Sequence, residues 1–360
     1  MKKAFKFRIY PTKEQIKTID NQINCCRYLY NQSLNLKKVC YEYDKSSLSK
    51  FDIIKIIPIF CLRTNVFSQV LQNVIDRLDK SFKNFFRRVK NGDIEPGFPR
   101  FKGKNKYHSI TYPQHGFKLG KDKIYLSTIG NIPVVFHRSI EGKIKTVTLT
   151  KYHNRYFISI VCEIEKEIKT KPIEKIVALD LGIKHFAYSS DNKIIENPRF
   201  YDEKIDKIKS KIDLEKDKKR KTELKKRKHT LEFRNNNKKD NFIHQTVNSL
   251  LKEYDCIITE DLDIKNMLQS NNSNLNKQIN TVSWSKFTNC ISYKVEDTGK
   301  KYIKVDPKNT TKMCSKCFRL VEKSLSERTH KCSCGLEIDR DYNASLNILR
   351  LGLQSLGENP

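Results

Sequence analysis

The stretch that decides the fold is IVALDLGIKHFAYSSDNKII, residues 176–195. An apolar run, Ile176 to Leu179, meets a carboxylate at Asp180, and a second apolar run follows before the pair Asp191-Asn192. A short continuous apolar run bounded by turn signals reads as a strand buried on both faces, as where helices cover a sheet. The stretch therefore predicts two adjacent strands of an α/β unit, with an acid ending the first.

Working toward the C-terminus, DCIITEDL (255–262) predicts a second buried strand ending in Glu260. Residues 266–281, NMLQSNNSNLNKQINT, are polar and Asn-rich and read as a loop. A helix is expected over SWSKFTNCISYKVEDTG (283–299), a strand over YIKVDP (302–307), and a last helix over NASLNILRLGLQSL (343–356) with an aspartate at its start. Between the first two strands, residues 203–240 hold 16 Lys and Arg against 8 acids with sparse apolar positions. That run reads equally as a solvated helical hairpin or as a nucleic-acid contact surface.

Toward the N-terminus the character changes across the charged linker at 165–175. KAFKFRIYP (3–11) alternates as a strand, and Thr12 with Gln15 forms a capping-box signature for the helical sequence that follows. A second helical block, 67–92, carries Val70, Val74, Leu78, Phe82 and Phe85 on one face and is largely basic on the other. Short β-like runs at 109–113, 123–127, 132–137, 143–152 and 156–165, with turn signals at Gly120, Gly130 and Gly142, suggest a small barrel or sandwich. The first strand could join it, making the helical block an insertion.

Lys and Arg number 71 against 41 Asp and Glu, a net charge of +30, which calls for a polyanionic partner. No apolar run is long enough to span a bilayer and the N-terminus lacks a signal-peptide core. A cytoplasmic, nucleoid-associated or nuclear location is expected, with no membrane partner. Cys25, Cys26, Cys40, Cys61, Cys162, Cys256 and Cys290 are scattered without pairing rhythm and read as reduced core residues.

The other four cysteines do have a rhythm. Cys314-x-x-Cys317 is followed after fourteen residues by Cys332-x-Cys334-Gly335. Two close thiolate pairs can close a tetrahedron around a structural zinc, leaving no open position for catalysis. The second pair is one residue tighter than usual, so His330 stands as an alternative ligand.

Taken singly, Asp180, Glu260 and an Asp opening the last helix read as strand-end or cap residues. Together, this order of elements can converge three carboxylates on one edge of a mixed sheet, where like charges need a cation. Two magnesium ions there could serve phosphodiester hydrolysis.

FKFRIYPTKEQ (5–15), GFPRFKGK (97–104), ALDLGIKHFAYSS (178–190), ITEDLDIKNM (258–267), the cysteine cluster and DRDYNASLNIL (339–349) together resemble the TnpB family, transposon-encoded RNA-guided DNA endonucleases related to type V CRISPR effectors. The resemblance runs over essentially the whole chain in the family's order. It implies a WED β-barrel at 1–12 and 92–170 carrying a helical REC insertion at 13–91. It further implies a RuvC nuclease domain of RNase H-like fold at 171–308 and 339–360, with a zinc-bearing target-nucleic-acid-binding insertion at 309–338.

Carried over residue by residue, the resemblance implies that Asp180, Glu260 and Asp341 are the catalytic, magnesium-binding acids, and that Asp339 has a supporting or capping role. Guide RNA from the flanking element and target double-stranded DNA are the implied partners, with one protein per RNA. Arg100, Lys102 and Lys104 are candidates for backbone contacts, and Gln69, Gln72 and Asn73 for reading base edges beside the target, although a plain polar helix face explains each amide as well. A binding-only repressor and a DNA-joining transposase are the alternatives: the first would lack the acids, and the second would use them with a DNA hydroxyl in place of water.

Overall fold

The computed structural model describes residues 1–61, 64–165, 170, 172–200, 202–269, 273–324 and 327–357. Parts of the linker at 165–175 and of the loop expected over 266–281 lie outside the described residues. The chain forms two compact units, Met1–Lys166 and Glu167–Pro360.

The first unit contains β1 (Lys2–Ile9), α1 (Lys13–Asp44), α2 (Lys50–Lys55), α3 (Ile57–Phe60), α4 (Ser68–Lys90), β2 (Ser109–Tyr112), β3 (Phe117–Leu119), β4 (Lys123–Leu126), β5 (Gly130–Val135), β6 (Lys143–Tyr152) and β7 (Arg155–Glu163). Its seven strands run in the order β2-β6-β7-β1-β5-β4-β3, every pair antiparallel. β1 lies in the middle of this sheet, and α1 to α4 interrupt the sheet in sequence. The capping box forms: the Gln15 amide donates to Thr12 Oγ1 at 3.3 Å and the Thr12 amide to Gln15 Oε1 at 3.0 Å.

Phe5, Phe7 and Ile9 of β1 point inward between exposed Lys6 and Arg8, and share one core with Ile19, Leu29 and Leu34 of α1 and Val70 and Leu78 of α4. Each such side chain contributes about 1.5–3 kcal/mol on burial. The inner faces of β2, β4, β5, β6 and β7 feed that same core, so the sheet curls around it. Among the described residues no ladder joins the edge strands β2 and β3, which are four and three residues long, and Pro113 after β2 has no N–H to extend one.

The second unit contains β8 (Ile176–Leu181), β9 (His185–Ser189), β10 (Ile194–Glu196), α5 (Glu203–Leu214), α6 (Lys218–Glu253), β11 (Cys256–Glu260), α7 (Ile264–Met267), α8 (Ser273–Val282), α9 (Trp284–Thr298), β12 (Lys301–Val305), β13 (Thr329–Lys331), β14 (Glu337–Asp339) and α10 (Arg340–Leu356). Its main sheet runs β10-β9-β8-β11-β12, with β11 parallel to both β8 and β12 and β9 antiparallel to its neighbours. One face packs on α6, α8 and α9 through Val247, Ile279, Phe287 and Ile291. The other packs on α10 through Ala178, Ile258 and Ile348.

One local reading is corrected. Residues 273–282, read as loop, form α8, because Leu275, Ile279 and Val282 recur at helical spacing and Ile279 and Val282 are buried. Burial of that face outweighs the weak helix propensity of its asparagines. The basic run 203–240 is a helical hairpin, α5 and most of α6, joined by residues 215–217 and burying Ile208 and Ile212. The Asn-rich segment 234–240 continues α6 without a break.

Candidate active site and metal centre

Side chains alternate between the faces of a strand, so parity decides where each acid points. On β8, Val177, Leu179 and Leu181 enter the α6/α9 core, which leaves Ala178 and Asp180 on the α10 face. On β11, Ile257 enters the α6/α9 core, which leaves Cys256, Ile258 and Glu260 on the α10 face. Leu179 is paired with Thr259 in the parallel ladder, so Asp180 and Glu260 are the next residues of neighbouring strands. They are 9% and 7% exposed.

The third acid arrives on the covering helix. Asp339 is the N-cap of α10, its Oδ1 accepting the amides of Asp341 at 2.8 Å and Tyr342 at 3.2 Å. Asp341, in the first turn, keeps its carboxylate free of that capping role and takes Arg340 Nε at 3.2 Å. α10 lies close on the sheet because Gly352 has no Cβ: one there would come within 2.8 Å of Ile258 Cγ2 on β11. The helix that carries Asp341 is thereby seated on the strand that carries Glu260.

Burial, then the charges of Glu260 and Asp341, push the Asp180 carboxyl well above the ordinary carboxylate range, while Arg340 pulls it down. Burial also raises Glu260, offset in part by the hydrogen bond that its Oε1 accepts from Thr310 Oγ1. Three carboxylates gathered there, with Asp180 raised by burial and then by the charges of the other two, are oxygen donors of the kind a divalent cation such as magnesium takes. Arg340 is the built-in cation beside them.

The cysteines form the second centre. The sulfur atoms of Cys314, Cys317, Cys332 and Cys334 all lie within 4.8 Å of one another, with Cys314 and Cys334 at 3.6 Å and Cys317 and Cys332 at 3.4 Å. A tetrahedral zinc–thiolate site has sulfurs about 3.8 Å apart, so the four fit zinc. Two tight turns present them: the Phe318 amide donates to Cys314 O at 2.9 Å, and the Gly335 amide to Cys332 O at 3.0 Å. Gly335, at φ +85°, supplies the left-handed turn that lets the narrower Cys-x-Cys spacing work. Backbone N–H donation from Cys334 brings the Cys332 thiol down to about 6, toward the thiolate a metal needs. His330 is not part of the tetrad: it is buried, with its Nδ1 against Lys323 Nζ.

The nucleic-acid candidates lie in the first unit. Arg100 and Lys104 are exposed. Lys102 is half-buried, its Nζ over the Tyr30 ring and its amide donating to Asn31 Oδ1 at 2.8 Å. Gln72 is exposed, whereas Gln69 accepts from the His115 amide at 3.3 Å and Asn73 from Arg77 Nε at 3.1 Å. Two of the three amides are thus engaged within the unit.

Sequence reasoning missed Thr310, Arg340 and the pair Tyr188–Tyr342, whose rings lie 5.8 Å apart beside the acids. Arg340 could have been weighed, since it sits between two aspartates. Nothing in the run Asn309-Thr310-Thr311 marks one threonine over the other.

Three family models match in order along the chain: an OrfB/IS605-type helix-turn-helix domain at 1–46, an OrfB/IS605 "Probable transposase" at 159–271, and a "Cas12f1-like, TNB domain" at 284–348. Residues 1–46 hold β1 and a single 32-residue helix rather than two helices and a turn. A Streptomyces pristinaespiralis protein with the provisional name RNA-guided DNA endonuclease is 26% identical over 98% of this chain and 90% of its own length. TnpB-like protein L770 of Acanthamoeba polyphaga mimivirus is 26% identical over 97% of this chain and 73% of its own. The fold resembles that of Cas12f1 in its complex with sgRNA and target DNA, with a TM-score of 0.58 at 14% identity, covering 97% of this chain and 98% of that one. Family models matched in sequence and relatives matched nearly end to end make the chain similar to the TnpB family over almost its whole length.

Proposed function

We propose that this protein is an RNA-guided, magnesium-dependent DNA endonuclease that hydrolyses target DNA beside a short motif. The observation that carries the reading is the convergence of Asp180, Glu260 and the helix bearing Asp341 on one desolvated face of the sheet, with Asp180 raised by burial and then by its acidic neighbours. In this reading Asp180, Glu260 and Asp341 hold the ions. Bound there, two magnesium ions would supply an activated water and charge stabilisation at the leaving oxygen. The chain's own part is to fix the carboxylates, keep bulk water from them, and hold Arg340 beside Asp341.

Residues 1–12 and 92–170 would form the WED part and 13–91 the REC insertion. Residues 171–308 and 339–360 would form the RuvC nuclease, and 309–338 the zinc-bearing insertion, with Cys314, Cys317, Cys332 and Cys334 holding a structural zinc. The net charge of +30 suits an RNA and DNA partner, with base pairing supplying sequence specificity. Arg100, Lys104 and Gln72, all exposed, would meet nucleic acid.

The test is to co-express the protein with RNA from its flanking locus, purify the complex and incubate it with a plasmid library and magnesium. Guide-dependent cuts beside one fixed motif are expected. Tight binding with intact DNA would replace the reading with a repressor, and joined products with a strand-transfer enzyme.

A further inference from the structure

Thr310 is only 3% exposed, sits between β12 and Cys314, and donates its hydroxyl to Glu260. Its single hydroxyl proton is shared between Glu260 Oε1 and Pro307 O, the latter at 3.1 Å. Its main chain is also held: Asn347 Nδ2 on α10 donates to Thr310 O at 2.9 Å and to Met313 O at 2.7 Å. One turn earlier on the same helix, Asn343 Nδ2 donates to Met313 O at 2.7 Å, and Asn343 Oδ1 accepts the Ser315 amide at 2.9 Å.

Both asparagines are buried, where an unpaired polar group is costly; their Nδ2 groups are paired, while Asn347 Oδ1 has no partner among the described residues. They spend these bonds on the segment that leads into Cys314, and Arg350 adds to the grip by stacking 4.5 Å over the Phe318 ring. The cysteine module, the helix that carries Asp341 and the side chain of Glu260 are thus joined by an unbroken chain of hydrogen bonds.

We infer that Thr310 is a positioning residue for Glu260, and that Asn343 and Asn347 set it from the cysteine module, so the zinc site acts as a strut for the nuclease centre. The inference rests on the proposed function in taking Glu260 as a metal ligand. A carboxylate with one oxygen fixed by a hydroxyl donor presents the other in a single direction, which lowers the cost of binding an ion. Thr310→Val removes the donor while keeping the branched shape, and Thr310→Ser restores it.

The experiment uses the full chain with its guide RNA. It follows Mn2+-dependent thermal stabilisation of wild type, Thr310→Val, Thr310→Ser and Asn347→Ala, with zinc content and guide-RNA affinity measured on the same samples. Thr310→Val and Asn347→Ala should need about 10–100-fold more Mn2+ for half-maximal stabilisation. Thr310→Ser should stay near wild type, and zinc content and RNA affinity should be unchanged in all. An unchanged Mn2+ midpoint in Thr310→Val overturns the inference, as does a Thr310→Ser midpoint as poor as that of valine. A wild type that responds to Mn2+ yet cuts no guided DNA would defeat the proposed function alone, whereas a wild type blind to Mn2+ would overturn both.

Discussion

Asp180 and Glu260 stand side by side, one residue beyond the paired positions Leu179 and Thr259 of two parallel strands. Neither has a basic partner across the ladder, and both are almost fully buried. Two acids in that position would destabilise the sheet unless something positive visits them. α10 covers the pair, and it brings both a third acid, Asp341, and a cation, Arg340.

The two aspartates that open α10 should separate cleanly by mutation. Asp341→Asn should lower guided cleavage by roughly 10²–10⁴-fold, the kinetic equivalent of several kcal/mol of metal-borne stabilisation. Asp339→Asn should cleave near wild type, since asparagine caps as well, while Asp339→Ala should cost about 1 kcal/mol in stability. Cleavage assays and thermal melts on the three variants decide it.

Gly352 is predicted to be intolerant because its Cα faces Ile258 with no room between α10 and β11. Gly352→Val should destabilise the second unit by about 1–3 kcal/mol. Cleavage should fall further than RNA binding, because the helix that moves carries Asp341. Denaturant titration with paired binding and cleavage assays would show this, and equal losses in both would contradict it.

Asp255 ties the starts of two strands together. Lys300 Nζ meets its Oδ1 at 3.0 Å, the Lys175 amide meets its Oδ2 at 3.2 Å, and these contacts hold the carboxyl below its usual range, the Lys300 hydrogen bond first. A lowered folded value means stability that is present above the unfolded pKa of about 3.9 and lost as pH falls through the folded one. Asp255→Asn should therefore cost about 1–3 kcal/mol at neutral pH, with the gap to wild type narrowing as the pH drops below about 4. Melts at several pH values measure it; a gap that widens on acidification would refute the assignment.

Cys314→Ser should lose the zinc. The module around it has few buried apolar residues, so the metal supplies its folding energy, about 10 kcal/mol or more in isolated zinc peptides. Metal analysis of the purified variant should show the ion gone, and unchanged zinc content would remove Cys314 from the ligand set.

Much of this was legible in the sequence because the decisive signals are local. The run Ile176–Leu179 before Asp180, the run before Glu260 and the paired cysteines each announce a strand or a turn with chemistry at its end. What was hidden is what tertiary packing decides. Residues 273–282 form a helix only because a core accepts Ile279 and Val282, and the pairing of β3 depends on β4, not on its own three residues. Thr310 reads as a loop hydroxyl until β11 and α10 are in place around it. The asparagines at 343 and 347 read as ordinary helix residues, since only the folded chain shows Met313 and Thr310 carbonyls within their reach.

The central claim is that one desolvated carboxylate cluster cuts DNA that a guide RNA selects. It is tested most directly by incubating the purified protein–RNA complex, wild type and Asp180→Ala, with matching and non-matching plasmids in magnesium while following both binding and cleavage. Wild type should cut the matching plasmid alone, and Asp180→Ala should bind it equally well and leave it intact. Retained cleavage by Asp180→Ala, or cutting that ignores the guide, would contradict the account.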